Sequence, residues 1–170
     1  MKTAQNKLLT IILMTLVQMV ICNFFDFSLY MVFSILPAMI MCYPLSRGTL
    51  ETMVVAFASG LAVDWLSDGL LGLNALALVP VALCRKPVVR LIMGEEAIVR
   101  EEDFTIRKNG FMKVSTTILA GEIIFFALYI LADGAGTRPF WFDCARFFAS
   151  VAASYPLAIA VTEIMSPSRQ

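Results

Sequence analysis

The sequence GLAVDWLSDGLLGLNAL, residues 60–76, joins two apolar segments that are separated only by the dipeptide Asp68-Gly69. Asp64 lies inside the first of these segments. If the segment crosses a membrane, an ionised carboxylate there costs about 2.5–3.5 kcal/mol near the bilayer centre. We therefore expect Asp64 to be protonated, hydrogen-bonded or turned toward other helices. The same expectation applies to Glu122, which lies near the middle of another apolar segment.

The composition of the whole chain favours a non-aqueous environment. Of its 170 residues, 59% are hydrophobic and 15% are charged, whereas ordinary soluble domains are about 45–50% apolar and about 25% charged. A soluble monomer rarely exposes an apolar patch above about 600 Å², so this composition leaves too much apolar surface in water. A secreted domain, a cytosolic enzyme and a nucleic-acid-binding protein are disfavoured. We predict an all-α integral membrane protein with one polytopic domain over residues 1–170.

Charged residues divide the chain into apolar segments close to the length that a transmembrane helix needs, which is about 20 residues. The first segment follows two lysines but has no A-x-A cleavage site after it, so we interpret it as a retained helix. A five-span arrangement, in which the short third and fourth segments merge, stays open. The preferred interpretation has a cytoplasmic loop at 85–113 and six transmembrane spans at about 8–25, 27–46, 51–67, 69–84, 114–132 and 147–164.

The distribution of lysine and arginine predicts the orientation in the membrane. With the N-terminus inside, the inner segments hold eleven of the thirteen cations, and only Arg138 and Arg146 lie outside. Cytoplasmic loops carry such an excess of cations, and tryptophan favours the membrane interface. Trp65 and Trp141 then fall at the outer interface. We therefore expect both termini to be cytoplasmic.

The residue types that most often carry catalysis are scarce. The chain has no histidine, which is the commonest acid/base group near neutral pH, and its four cysteines are scattered without a C-x-x-C pair. We therefore expect no metal site, no disulfide framework, no cofactor and no catalytic residue. An intramembrane enzyme that uses Asp64 and Glu122 is a weaker alternative, because no nucleophile or ligand cluster accompanies the two carboxylates.

Small residues recur on one side of the third span. Ala56, Gly60 and Asp64 are spaced by four residues, so they share one face of a helix. A pair of small residues at this spacing lets a second helix approach closely. We predict that Ala56 and Gly60 form a helix-packing face, which serves either packing within the bundle or contact with a partner's helix.

The stretch 60–76 also resembles a known family. It is similar to the pattern G-L-x-x-D-x-x-S/G-x-x-x-L-G-x-x-A-L of the bacterial rod shape-determining protein MreD family. The motif covers about a tenth of the chain, and the rest of the chain agrees in length and expected architecture. The residues that fall on the pattern are Gly60, Leu61, Asp64, Leu71, Gly72, Ala75 and Leu76.

This resemblance implies a non-catalytic scaffold of the bacterial inner (cytoplasmic) membrane, in the cell-elongation complex that governs rod shape and peptidoglycan synthesis. It implies a fold like the S-component of energy-coupling-factor transporters. The implied direct partner is MreC. The further implied members of the complex are MreB, RodZ, RodA and a class B penicillin-binding protein.

Within the motif, the resemblance directs attention to polar and glycine positions at the outer end of spans three and four. Asp64 and Asp68 either cap the turn or contact a partner there, together with Asn74, while Gly60 lies one turn before Asp64 and Gly72 permits a tight turn. The alternative function is a small-molecule-binding membrane subunit of a transporter. That alternative rests on the related fold and on prolines inside three spans, namely Pro37, Pro80 and Pro156.

Overall fold

The computed structural model describes residues 2–24, 30–67, 70–95, 110–134 and 138–165, with side chains from residue 9 onward. These residues form helices and irregular connections, and no strand occurs among them. The helices are α1 (Lys2–Phe24), α2 (Leu36–Met41), α3 (Thr49–Leu66), α4 (Leu73–Met93), α5 (Phe111–Gly134) and α6 (Phe140–Met165).

Three of these helices, α3, α5 and α6, are long and apolar enough to cross a membrane. At a rise of 1.5 Å per residue, a helix needs about 20 residues to cross the hydrocarbon core. The apolar part of α1, Leu9–Phe24, is shorter. The prediction of an all-α chain with helices suited to a membrane is confirmed at this level.

The short helix α2 lies at the centre of the bundle. All six of its residues are buried, and it contacts all five other helices. Around it, α1 packs against α3, α3 against α4, α4 against α5, and α5 against α6. Large apolar side chains on the surrounding helices point outward, which is the arrangement expected where lipid replaces water. Examples are Leu13, Val54, Leu83, Leu131 and Phe148.

The second predicted span differs from the structure. Instead of one helix over 27–46, residues 31–35 are irregular and the helix covers only Leu36–Met41. Pro37 occupies the first turn of α2, where proline is tolerated because its missing N–H has no partner within the helix. A helix that begins next to Pro37, at Leu36, is therefore favoured over one that passes through Pro37 from residue 27.

The irregular backbone of residues 31–35 is hydrogen-bonded on one side by α1. The Gln18 carboxamide donates through Nε2 to the carbonyl of Phe33 at 2.9 Å and accepts the N–H of Ile35 through Oε1 at 2.8 Å. Gln18 is buried, so both bonds lie away from solvent. Non-helical backbone at membrane depth is tolerated only where protein or a water-filled cavity satisfies its polar groups. One glutamine side chain therefore replaces two bonds of a missing helix.

On the other side, two serines of α6 perform the same task. Ser150 Oγ accepts the N–H of Val32 at 2.9 Å, and Ser154 Oγ accepts the N–H of Ser34 at 3.1 Å. Ser154 also donates to the carbonyl of Val32 at 3.3 Å. The segment 31–35 is thus held between α1 and α6 by side chains that lie about 120 residues from it in α6 and about 15 residues from it in α1.

Replacing Gln18 with leucine is expected to lower the free energy of unfolding by about 2–4 kcal/mol. The substitution removes the Gln18 bonds to the Phe33 carbonyl and the Ile35 N–H, and a buried group that loses its hydrogen bond costs about 1–3 kcal/mol. Unfolding by sodium dodecyl sulfate in mixed micelles measures the change. Asn23→Leu is the matched control, because it removes an amide at an exposed position of the same helix. Equal effects of the two substitutions contradict the structural role of Gln18.

The fourth helix also differs from the prediction. We expected a span at 69–84 followed by a loop at 85–113, but α4 continues to Met93 through Pro80 and Pro87 and ends at Gly94, where φ is +92°. Packing favours this continuation, because the part of α4 beyond residue 84 buries Arg85 and Val89. Residues 96–109 of the predicted loop lie outside the described residues.

The last two helices begin earlier than the predicted spans. α5 begins at Phe111 rather than at residue 114, and α6 begins at Phe140 rather than at residue 147. At the start of α6, the carbonyl of Pro139 accepts the N–H groups of Phe142 and Asp143. A proline supplies no N–H and fixes φ at a helical value, which suits a helix start. Arg146, predicted to lie in the outer loop, is therefore inside α6.

Candidate functional site

The motif stretch, residues 60–76, forms the junction between α3 and α4. At Gly60 the two helices approach each other closely. A Cβ atom at Gly60 would lie 2.6 Å from both N and Cα of Ala75 and 3.0 Å from the backbone carbon of Asn74. These neighbours are backbone atoms, so no side-chain rotation relieves the overlap. Ala56, one turn earlier on the same face, is fully buried. The predicted small-residue face is therefore used inside the molecule, where α3 packs against α4.

Asp64 lies one turn beyond Gly60 and is 2% exposed. Its Oδ1 accepts the backbone N–H of Asn74 at 3.1 Å and the Asn74 side-chain amide at 2.8 Å. Its Oδ2 accepts the backbone N–H groups of Gly72 at 3.0 Å and Ala75 at 3.3 Å. Both carboxylate oxygens are thus engaged with the beginning of α4.

These bonds make Asp64 a helix cap that is supplied by the preceding helix. The first N–H groups of any helix lack partners within it, and Gly72, the residue before α4, has no side chain with which to cap it. A carboxylate also interacts favourably with the partial positive charge at a helix N-terminus. Gly72 has a φ of +93°, a left-handed conformation that glycine adopts without strain.

Of the five residues singled out at this junction, the structure brings four into one cluster, which we call the α3–α4 lock: Gly60, Asp64, Gly72 and Asn74. Asp68 lies outside the described residues. The sequence leaves two roles open for Asp64, capping the turn or contacting a partner. Its four hydrogen bonds to the beginning of α4 are those of a cap. On the surface of the same turn, Leu70 and Leu71 are exposed.

Arg85 is a buried residue whose role the sequence did not predict. It is 1% exposed on α4, and its guanidinium donates to the Tyr43 carbonyl and, at 3.2 Å, to Thr52 Oγ1. It also lies 5.8 Å from the centre of the Tyr43 ring. Among the described residues it forms no ion pair with a carboxylate. Its spacing of four from Val81 and Val89 is the helical signal that indicates a buried face.

A second charged cluster joins α5 to α6. Asp133, in the last turn of α5, accepts hydrogen bonds from Arg138 at 2.9 Å and from Arg146. Arg146 is buried, whereas Arg138 is partly exposed and lies over the Phe142 ring. Both cations that we assigned to the outer side thus pair with one carboxylate at the α5–α6 turn.

Glu122 lies near the midpoint of α5 and is 0% exposed. Within the described part of the chain, neither of its carboxyl oxygens has a hydrogen-bond partner. The two carboxylates of the weaker enzyme alternative thus differ in their contacts, because Asp64 accepts four hydrogen bonds from α4 and the oxygens of Glu122 accept none from the described residues. No group of three His, Cys, Asp or Glu residues suited to a metal ion occurs in the described ranges.

In comparisons with known proteins, no protein-family model, no curated protein and no solved structure matches this chain.

Proposed function

We propose that this chain is a non-catalytic scaffold of the MreD type, which binds MreC in the bacterial inner membrane. The observation that carries the proposal is the α3–α4 lock. Four of the seven residues that fall on the motif, Gly60, Asp64, Gly72 and Ala75, are joined to one another by packing and hydrogen bonds. Residues that bond to one another in this way hold the α3–α4 junction in one conformation. A fixed conformation suits a protein whose function is to bind a partner.

The other polar side chains in the bundle support the same interpretation. Gln18 links α1 to the segment before α2, Arg85 links α4 to the residues that follow α2, and Asp133 links α5 to α6. Each of these groups joins two parts of the chain. A bundle held in this way presents a fixed surface to a partner helix, and partners that bind without rearrangement lose little ordering entropy.

The proposal includes six membrane crossings, with the second crossing made by the segment that contains α2. It also includes cytoplasmic termini, because lysine and arginine then lie mostly on the inner side. The direct partner is MreC. The wider complex comprises MreB, RodZ, RodA and a class B penicillin-binding protein, and the surrounding medium is the lipid bilayer.

The interrupted second span favours one other candidate, a small-molecule-binding subunit of a transporter. Interrupted helices in transporters commonly line substrate sites near the middle of the membrane. In this protein, however, Gln18, Ser150 and Ser154 satisfy the interrupted backbone, and α2 is fully enclosed by protein. We therefore rank this function second. A small molecule that co-purifies with the protein, detected by mass spectrometry, would favour it.

The scaffold proposal predicts that the chain retains MreC when the two are co-expressed and purified in mild detergent through a tag on MreC. An unrelated polytopic membrane protein of similar size is the control for non-specific retention. Retention no greater than that of the control overturns the proposal.

The α3–α4 lock adds a prediction about how motif variants behave in that experiment. Asn74→Ala weakens the lock without adding bulk, so we expect less folded protein but the same amount of MreC per folded chain. The folded amount is measured as the monodisperse fraction in size-exclusion chromatography. A lower ratio of MreC to folded chain would instead make the motif a contact surface.

A further inference from the structure

Glu122 is the buried acidic residue that the scaffold role does not use. Its neighbour in sequence, Gly121, faces α2 so closely that a Cβ atom would lie 2.7 Å from Met41 Cγ. This turn of α5 is therefore tightly packed against the central helix. Glu122 itself is fully enclosed, and neither carboxyl oxygen has a partner in the described structure.

Two other acidic groups in the bundle, Asp64 and Asp133, are stabilised by donors. Asp64 accepts four hydrogen bonds, and Asp133 pairs with two arginines. An ionised carboxylate without such partners is strongly disfavoured in an apolar environment, and the usual response is to take up a proton. Among the described residues, Glu122 has no donors like those that bond to Asp64 and Asp133.

No charged side chain of the helices packed against α5 bonds to Glu122. α2 contains no ionisable residue. Arg85 of α4 is bonded to Tyr43 and Thr52, Arg146 of α6 pairs with Asp133, and Tyr155 of α6 is bonded to Ser115. The remaining ionisable residues of these two helices, none of which bonds to Glu122, are Cys84, Lys86, Arg90, Asp143, Cys144 and Glu163.

We propose that Glu122 is a proton-binding site and that the folded protein holds this carboxyl in its neutral form at neutral pH. The ligand is a proton because the Glu122 side chain is completely enclosed. A proton can reach a group without exposed surface through brief openings of the bundle. The reaction is the addition of one proton from solvent to one carboxylate oxygen. This inference concerns the interior of the bundle and is independent of whether MreC binds.

Infrared spectroscopy tests the proposal directly, because a protonated carboxylic acid has a carbonyl stretching band that an ionised carboxylate lacks. We expect this band in the purified protein at neutral pH, and we expect its loss in Glu122→Gln. Glu51→Gln is the matched control, because Glu51 is an exposed carboxylate on α3, and it leaves the band in place. A difference spectrum of wild type minus Glu122→Gln that shows only ionised carboxylate overturns the proposal.

A second measurement uses the pH dependence of unfolding. A group that keeps its proton in the folded state but releases it in the unfolded state favours unfolding as pH rises. Above the ordinary value for glutamate, about 4.3, the unfolding equilibrium constant of the wild type is expected to rise by up to about tenfold per pH unit relative to Glu122→Gln. The rise ends where the folded protein also releases the proton. Parallel pH profiles for the two proteins overturn the proposal.

Failure of Glu122→Gln to fold does not remove the test. The natural chain alone is then titrated in the infrared experiment, since carboxyl groups in water are ordinarily ionised at neutral pH. Persistence of the carboxylic acid band at neutral pH supports the proposal, and its absence contradicts it.

Discussion

Gly60→Val is expected to lower the free energy of unfolding by about 3 kcal/mol or more, the largest loss among the packing substitutions we consider. The new side chain would overlap the backbone of Ala75, which lies 2.6 Å from the position of the first added carbon. Overpacking usually costs about 1–3 kcal/mol, and it costs more where neighbouring atoms cannot move aside. Unfolding by sodium dodecyl sulfate in mixed micelles provides the measurement.

The matched control for this substitution is Ala58→Val, which adds bulk on the exposed side of the same helix. We expect it to change the free energy of unfolding by no more than about 0.5 kcal/mol, as is usual at exposed positions. Gly60→Ala is expected to be intermediate, because alanine favours a helix over glycine by about 1 kcal/mol but still meets the Ala75 backbone. A Gly60→Val protein as stable as Ala58→Val contradicts the close approach of α3 and α4.

Asp64→Ala is expected to cost about 3–5 kcal/mol of unfolding free energy. The carboxylate accepts four hydrogen bonds at the beginning of α4, and its removal leaves buried donors on Asn74 and Ala75 without partners. Each unsatisfied buried donor costs about 1–3 kcal/mol, and these costs overlap because the donors share one acceptor. The same unfolding assay reports the loss.

Two further variants separate capping from a loss of charge alone. Asp64→Asn keeps one acceptor oxygen but directs an amide at backbone N–H groups, so we expect it to recover less than half of the loss. Glu51→Ala removes a carboxylate from an exposed position of α3, and we expect a change of about 0.5 kcal/mol. A loss for Asp64→Ala as small as that for Glu51→Ala would show that Asp64 does not cap α4.

The α3–α4 lock was accessible from sequence because its parts are close together in the chain. Gly60 and Asp64 share one helix face at a spacing of four, and Gly72 follows at the short turn between the third and fourth apolar segments. Helical periodicity and the conformational freedom of glycine are local properties. The sequence did not show that Asp64 acts on the backbone of α4, because that requires the angle at which the helices meet.

The central irregular segment was not predicted, and the reason is physical. Residues 27–46 have the length and apolarity of a span, and these properties are the same for a continuous and an interrupted crossing. What stabilises the interruption is Gln18 in α1 and the serines Ser150 and Ser154 in α6. Partners at such sequence separations give no periodic signal. Pro37 was the local indication, and by itself it also fits a simple bend.

Arg85 shows a similar limit in the assignment of charged residues. Counting cations in loops assigns every lysine and arginine to the aqueous side, so a cation that turns inward is misplaced by that count. The buried spacing of Val81, Arg85 and Val89 was present in the sequence. The neighbouring Lys86 and Pro87 instead favour a helix that ends near residue 84, because the residue before a proline is disfavoured in a helix.

The central claim is that the α3–α4 lock holds two helices of the same chain together. A double-mutant cycle between Asp64 and Asn74 tests this claim most directly. Asp64→Ala, Asn74→Ala and the double variant are unfolded in the same mixed micelles. Because the Asn74 amide lies 2.8 Å from Asp64 Oδ1, we predict a coupling free energy of about 1 kcal/mol or more, with the double variant less destabilised than the sum of the two single variants. Additive losses, within about 0.3–0.5 kcal/mol, would contradict the lock.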